Sequence, residues 1–321
     1  MWDFNWRLIP YSVNDDTGLG KNYIYAPHPF TNWSLNPGHR SPLGEKLHTI
    51  EGFRKTAEYE SIVEYFKMNA DKKKVYCLGG STTYCNELLP FDAPWPSRLR
   101  DKLSKHLSDV DCVVANAGVG GWNTLQSLIR FVSWAPILKP DLVIVCQSKN
   151  DLGPLYNGDI NQKLVFPDYS NVMGQFSQSI LEKGMFTRGA LWRANGGVGS
   201  VYGPSWVPSA KGLARFDENL VSAVVSRYEA ICAIAKAIGA RVLFVPELIQ
   251  GSPYYPFMKI LHRKMHDVAK KYDHCDFIDL SDIVPHEEQY FWDKMHFTEE
   301  GCELFADILA QLIARKGLLR S

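Results

Sequence analysis

The sequence predicts an α/β fold of three layers, α/β/α, on a doubly wound parallel sheet of about five strands. Three observations lead there. Short apolar runs alternate with amphipathic stretches from about Lys73 onward, the runs are apolar on both faces, and glycine, serine and asparagine gather directly after them. A strand with two apolar faces must be covered on both sides, and the crossover helices of a parallel sheet supply that cover.

Residues 1–70 are rich in aromatic and turn-forming residues ("YAPHPFTNWSLNPGHRSP") and show little periodicity before "TAEYESIVEYFKM", which reads as a helix. They are expected to form an N-terminal extension packed on a domain that occupies 71–321. Strands are expected at 74–78 ("KVYCL"), 112–117 ("CVVANA"), 142–147 ("LVIVCQ"), 241–247 ("RVLFVPE") and 276–280 ("DFIDL"). Helices are expected at 94–107, 122–135, 216–238, 255–272 and 298–315. In the third of these, Leu220, Val224, Tyr228, Ile231 and Ala235 recur every three or four positions, the stripe of a helix with one buried face. Between Gly153 and Arg215 the alternation stops. This stretch carries "RANGGVGSVYGP" and the aromatics Tyr156, Phe166, Tyr169, Phe186, Trp192 and Trp206, and reads as a lid-like insertion (153–215) over a substrate.

Composition narrows the function. The 321 residues include 35 basic and 35 acidic side chains, so no net charge steers the chain toward nucleic acid or anionic lipid. No run approaches the roughly 18 apolar residues of a membrane span, and the first residues show no basic segment followed by an apolar one. Seven cysteines, an odd number, with Cys77, Cys112 and Cys146 in or beside strand-like runs, read as buried small hydrophobes. A cytoplasmic location is expected.

Chemistry is expected at the carboxyl ends of the strands, where open α/β sheets bind their ligands. After the first strand come Gly79, Gly80 and Ser81; after the second, "NAGVGGWNT"; after the third, "QSKNDL" with Asn150 and Asp151. Near the C-terminus, "FWDKMHFTEEG" sets Asp293 three residues before His296. A serine attacks only when a neighbouring base takes its proton, the base works best when a carboxylate fixes its tautomer, and the oxyanion formed needs donors already in place. Ser81, His296 and Asp293 can fill the first three roles. The Ser81 N–H, the Gly121 N–H and the Asn150 amide can fill the last. Ser81 has a plainer reading as a helix N-cap, and His296 as a surface histidine.

The ordered set of Ser81 in "CLGGSTTY", Gly121 in "NAGVGGWNT", Asn150 in "SKND" and Asp293 and His296 in "DKMHF" resembles the four blocks of the SGNH (GDSL-type) hydrolases. The resemblance spans roughly 73–315, apart from the insertion. It implies a flavodoxin-like SGNH fold and a serine esterase working through an acyl-enzyme, with Ser81, Asp293 and His296 as triad and Ser81, Gly121 and Asn150 as oxyanion hole. It implies no cofactor. One departure stands out: the family's Gly-Asp-Ser is here Gly79-Gly80-Ser81, so contacts of the missing acid must be replaced.

Other motifs point elsewhere and carry less. Gly118-Val119-Gly120-Gly121 lacks the third glycine spacing of a dinucleotide site. His262 and His266, four apart, lack a third ligand, so no metal is expected and an exposed helical face is the expected setting. Asp151 is a second acid or a brace for the Asn150 loop; Trp122 is a stacking platform for a sugar or a packing residue. The expected substrate is a small-molecule or glycan ester, with an acylated carbohydrate favoured by the polar, aromatic insertion. Acyl transfer to a sugar hydroxyl, and a non-catalytic binding module, are the alternatives.

Overall fold

The computed structural model describes residues 24–28, 30–41, 44–86, 88, 90–107, 110–152, 221–249 and 255–320. The expected insertion at 153–215 and the first part of the extension lie outside them. The chain divides into two compact units, 1–150 with 225–321, and 151–224. The sheet belongs to the first.

Its five strands are β3 (Lys73–Gly79), β4 (Cys112–Asn116), β5 (Leu142–Cys146), β6 (Arg241–Phe244) and β7 (Cys275–Phe277), all parallel, in the order β4-β3-β5-β6-β7. Chain order reverses at β3, so the crevice between the ends of β3 and β5 is the place where such a sheet takes a ligand. Register sets Val75 beside Leu142 and Gly79 beside Cys146, which brings the ends of β3 and β5 level. β6 stops earlier than its apolar run, because Pro246 has no N–H for the ladder, although Val245 still donates to the Val145 carbonyl.

The alternation of side chains assigns the layers. Val75 and Cys77 point into a cluster with Trp95 and Leu99 of α3 (Trp95–His106) and Phe305, Leu309 and Ile313 of α7 (Glu299–Lys316). Tyr76 points the other way, with its ring against Phe53 and against Phe131 of α4 (Thr124–Leu138). On that side Tyr228 of α5 (Val221–Ala237) meets Phe244. α6 (Tyr255–Lys270) packs on β6 and β7, with the His266 ring over Phe277. Among the described residues, no helix is long and apolar enough to cross a membrane.

Helix ends follow local chemistry. Asn123 caps α4 by accepting from Leu125 and Gln126, while the Gln126 side chain accepts from the Asn123 N–H. Thr298 caps α7, acids fill its first turn, bases its last, and Gly317 at φ 65° ends it.

The N-terminal region is less regular and has a definite task. An antiparallel hairpin, β1 (Tyr25–His28) and β2 (Asn32–Leu35), precedes α1 (Ile62–Met68). Between them, Arg54 N–H donates to Asn116 O at 3.1 Å and Thr56 Oγ1 to Val114 O at 2.6 Å, which covers the open edge of β4.

Candidate active site

β3 runs into a single helical turn, α2 (Ser81–Tyr84), with Gly80 in the capping position. Gly80 has φ −91°, so left-handed backbone is not the reason for glycine here. Crowding is. A Cβ on Gly79 would lie 2.0 Å from Thr83 Oγ1 and 2.5 Å from the Cys146 carbonyl, and one on Gly80 would lie 2.8 Å from Asn150 Nδ2. The paired glycines let the ends of β3 and β5 close on each other. Ser81, 7% exposed, stands one residue past the cap, and its hydroxyl is 2.8 Å from His296 Nε2.

Asp293 and His296 sit on a turn just before α7. The turn is pinched between Phe291 and Phe297, which form an isolated bridge, and Trp292 N–H donates to His296 O at 2.7 Å. Asp293 Oδ1 accepts from the N–H groups of Met295 and His296, both at 2.8 Å, an Asx-type turn built by its own side chain. Oδ2 is 2.7 Å from His296 Nδ1. Partial burial raises the Asp293 pKa, but the hydrogen bond from the imidazole, its charge when protonated and the two backbone donors pull it down to about 2. An ionised carboxylate can only accept, so the ring proton resides on Nδ1 and Nε2 is left to accept from the Ser81 hydroxyl. Residues 215 positions apart thus meet in one hydrogen-bonded line, Asp293 to His296 to Ser81.

The Gly121 loop leaves β4 on the other flank. Gly121 has φ 79°, where a side chain would be strained, and Trp122 N–H closes the turn onto Val119 O at 3.1 Å. Two tryptophans lock it: Trp33 Nε1 donates to Gly120 O at 3.2 Å, and Trp122 Nε1 donates to Trp33 O at 3.1 Å. The Trp122 indole is 1% exposed, with the Arg130 guanidinium 5.5 Å from its ring. Stacking on a sugar needs an open face, so Trp122 is a packing residue and the platform expected from sequence is not formed by it. Its carbonyl matters more: it accepts from Asn150 Nδ2 at 2.9 Å and from the Gln147 amide, and so aims the Asn150 side chain along the flank of Gly80. Asp151 is buried and falls in the second unit.

A second correction concerns α6. His262, expected on an exposed face, is 8% exposed on a stripe with Met258, Leu261 and Met265, and burial holds its pKa down to about 4. Among the described residues, no three histidine, cysteine or acidic side chains form a group that could hold a metal ion.

The sequence profile of the GDSL-like Lipase/Acylhydrolase family matches residues 77–304, a span that includes Ser81, Gly121, Asn150, Asp293 and His296. The chain belongs to this family. No curated protein sequence matches it. Similar crystal structures include that of TesA, 15% identical, covering 77% of this chain and 100% of its own, with a TM-score of 0.47. The psychrotrophic esterase EstA from Pseudoalteromonas sp. is 13% identical, with coverages of 78% and 100% and a TM-score of 0.46. A catalytic mutant of an acetylxylan esterase from Geobacillus stearothermophilus is 14% identical, with coverages of 78% and 97% and a TM-score of 0.47. The assignment rests on the sequence profile. In this member of the GDSL-like family, an acid before Ser81 would put its Cβ 2.8 Å from Asn150 Nδ2 and push that amide aside.

Two supporting residues escape the sequence reading. Asn116, at the end of β4, donates from Nδ2 to Thr83 O at 3.0 Å and accepts from Gly118 N–H at 3.0 Å, tying α2 to the Gly121 loop. Trp33 clamps that loop from outside the sheet. An asparagine ending an apolar strand was the available sign for the first; for the second there was none.

Proposed function

We propose that this chain is a serine esterase that hydrolyses an O-acyl ester through a covalent acyl-enzyme. The observation that carries the reading is the continuous line from Asp293 Oδ2 through the His296 ring to Ser81 Oγ, with steps of 2.7 and 2.8 Å. In the first half-reaction Ser81 Oγ attacks the ester carbonyl carbon while His296 Nε2 takes its proton. The carbonyl oxygen becomes an oxyanion, assigned to the N–H groups of Ser81 and Gly121 and to one N–H of the Asn150 amide. The other N–H of that amide is spent on the Trp122 carbonyl, which keeps the donor oriented before substrate arrives. Collapse of the tetrahedral adduct breaks the bond to the alcohol oxygen, which receives the proton from His296. Water repeats the sequence on the acyl-enzyme and releases the acid. Asp293 stays ionised throughout and steadies the imidazolium.

For substrate we propose an acylated carbohydrate, on the polar and aromatic composition of 153–215. The test is turnover of a short p-nitrophenyl ester and of a panel of acetylated sugars by the intact chain and by Ser81→Ala. The reading expects the variant to fold and to lose about four orders of magnitude in turnover or more. Undiminished turnover in Ser81→Ala removes the serine from the nucleophile role.

A further inference from the structure

β6 ends at Phe244, and three residues beyond it stands Glu247, a carboxylate with 3% exposure. A buried carboxylate is tolerated when donors meet it, and here every contact is a donor. Thr82 Oγ1 donates to Oε1 at 2.7 Å. The N–H groups of Ser148 and Lys149 donate to Oε2 at 2.7 and 2.6 Å, and Ser148 Oγ lies 3.3 Å from the same oxygen. His262 Nε2 stands behind Ser148 Oγ at 3.2 Å, completing a polar knot that links β6, α6 and the ends of β3 and β5.

What makes the knot informative is which residues its donors adjoin. Thr82 follows Ser81, and Ser148 and Lys149 lead directly into Asn150. The two turns leave different strands and share no backbone hydrogen bond from strand pairing beyond Gly79 and Cys146. One oxygen of Glu247 grips the first turn and the other grips the second. The Trp122 carbonyl holds Asn150 from the opposite flank.

We infer that Glu247 is a positioning residue: it ties the Ser81 turn to the Asn150 turn and thereby sets the separation of nucleophile and amide donor. The inference rests on the esterase reading above and adds to it a residue outside the triad. A carboxylate from beyond the end of β6 thus meets both turns in a chain that has glycine at position 80. Glutamine at 247 would turn an N–H toward one of the donors and break the symmetry of the grip, while keeping the volume.

The test compares Glu247→Gln, Thr82→Val and Thr82→Ser with the intact chain. It reads kcat and KM for a short acyl ester, the rate of fluorophosphonate labelling at Ser81, and the melting temperature. Glu247→Gln and Thr82→Val are each expected to lower kcat and the labelling rate by about tenfold or more, with KM changed by less than about twofold. Thr82→Ser, which keeps the hydroxyl, is expected to restore both rates. Combined, Glu247→Gln and Thr82→Val should cost less than the product of their separate losses, because they cut the same tie. If the variants melt lower yet react at the rates of the intact chain, Glu247 only stabilises the fold and the inference is overturned. Should Glu247→Gln fail to fold, the two Thr82 variants still decide. Failure of the intact chain to label at Ser81 overturns the esterase reading and this inference together; normal labelling of the intact chain with unaffected variants overturns the inference alone.

Discussion

The proposed nucleophile and its proposed base are held by opposite means. Ser81 is 7% exposed, on a turn wedged between the ends of β4 and β5, where a Cβ at Gly79 would lie 2.0 Å from Thr83 Oγ1 and one at Gly80 2.8 Å from Asn150 Nδ2. Asp293, by contrast, has a side chain that is 55% exposed, on a short turn whose shape is fixed mainly by its own carboxylate. Precision on the serine side comes from close packing, which resists change in every direction. On the histidine side it comes from three hydrogen bonds to one carboxylate. The difference teaches that equal-looking substitutions on the two sides should fail differently: on the first through geometry, on the second through charge.

Variants can sharpen that contrast. The largest effect in the supporting groups is expected from Asn150→Ala, which removes a proposed oxyanion donor: kcat should fall about a hundredfold, with KM nearly unchanged, in steady-state ester hydrolysis. Next comes Gly80→Ala, whose new methyl would press on Asn150 Nδ2 at 2.8 Å. It should lower kcat about tenfold and stability by ~1–3 kcal/mol, read by kinetics and urea unfolding. Trp33→Phe keeps a six-membered aromatic ring but loses the pyrrole half of the indole and with it the donor to Gly120 O. It should cost ~1 kcal/mol in unfolding free energy and change kcat only a few-fold.

The smallest effect on fold stability belongs to the charged side and depends on pH. Asp293 is held at about 2, below its ordinary value of 3.8. Its contribution to stability is therefore full above the ordinary value and is lost as pH falls through the folded value. Asp293→Asn should flatten the stability curve between about pH 4 and about pH 2, measured by urea unfolding across that range. Exposure of the carboxylate screens the ion, so the flattening should be small.

The same contrast explains what could be read from sequence. Four of the five sheet strands were legible because their burial leaves apolar runs; β7 (Cys275–Phe277) is only half-buried, and it shares just two residues with the strand expected at 276–280. That Ser81, Asn150, Asp293 and His296 would gather in one place was legible because their types and order match a known constellation and each follows a strand end or precedes a helix. Supporting groups left weaker marks. The hairpin 25–28 and 32–35 and the edge cover at Arg54 and Thr56 use irregular backbone, which has no period to detect. His262 looked exposed because histidine suits either face of a helix, and only its neighbours Met258, Leu261 and Met265 place it inside. Glu247 stood within an expected strand, and its partners Thr82 and Ser148 are more than ninety residues away in sequence. Trp122 was ambiguous for the same reason: an indole in a glycine loop suits a sugar or a core, and Trp33, 89 positions away, is what closes over it.

The central claim is that His296 activates Ser81 across the 2.8 Å contact between them. Its most direct measurement is the rate of fluorophosphonate labelling, with the modified residue mapped by peptide mass spectrometry, in the intact chain, Ser81→Ala and His296→Ala. The account predicts a single adduct on Ser81 in the intact chain, none in Ser81→Ala, and labelling slowed at least about a thousandfold in His296→Ala. An adduct on another residue, or equal rates with and without the imidazole, would contradict it.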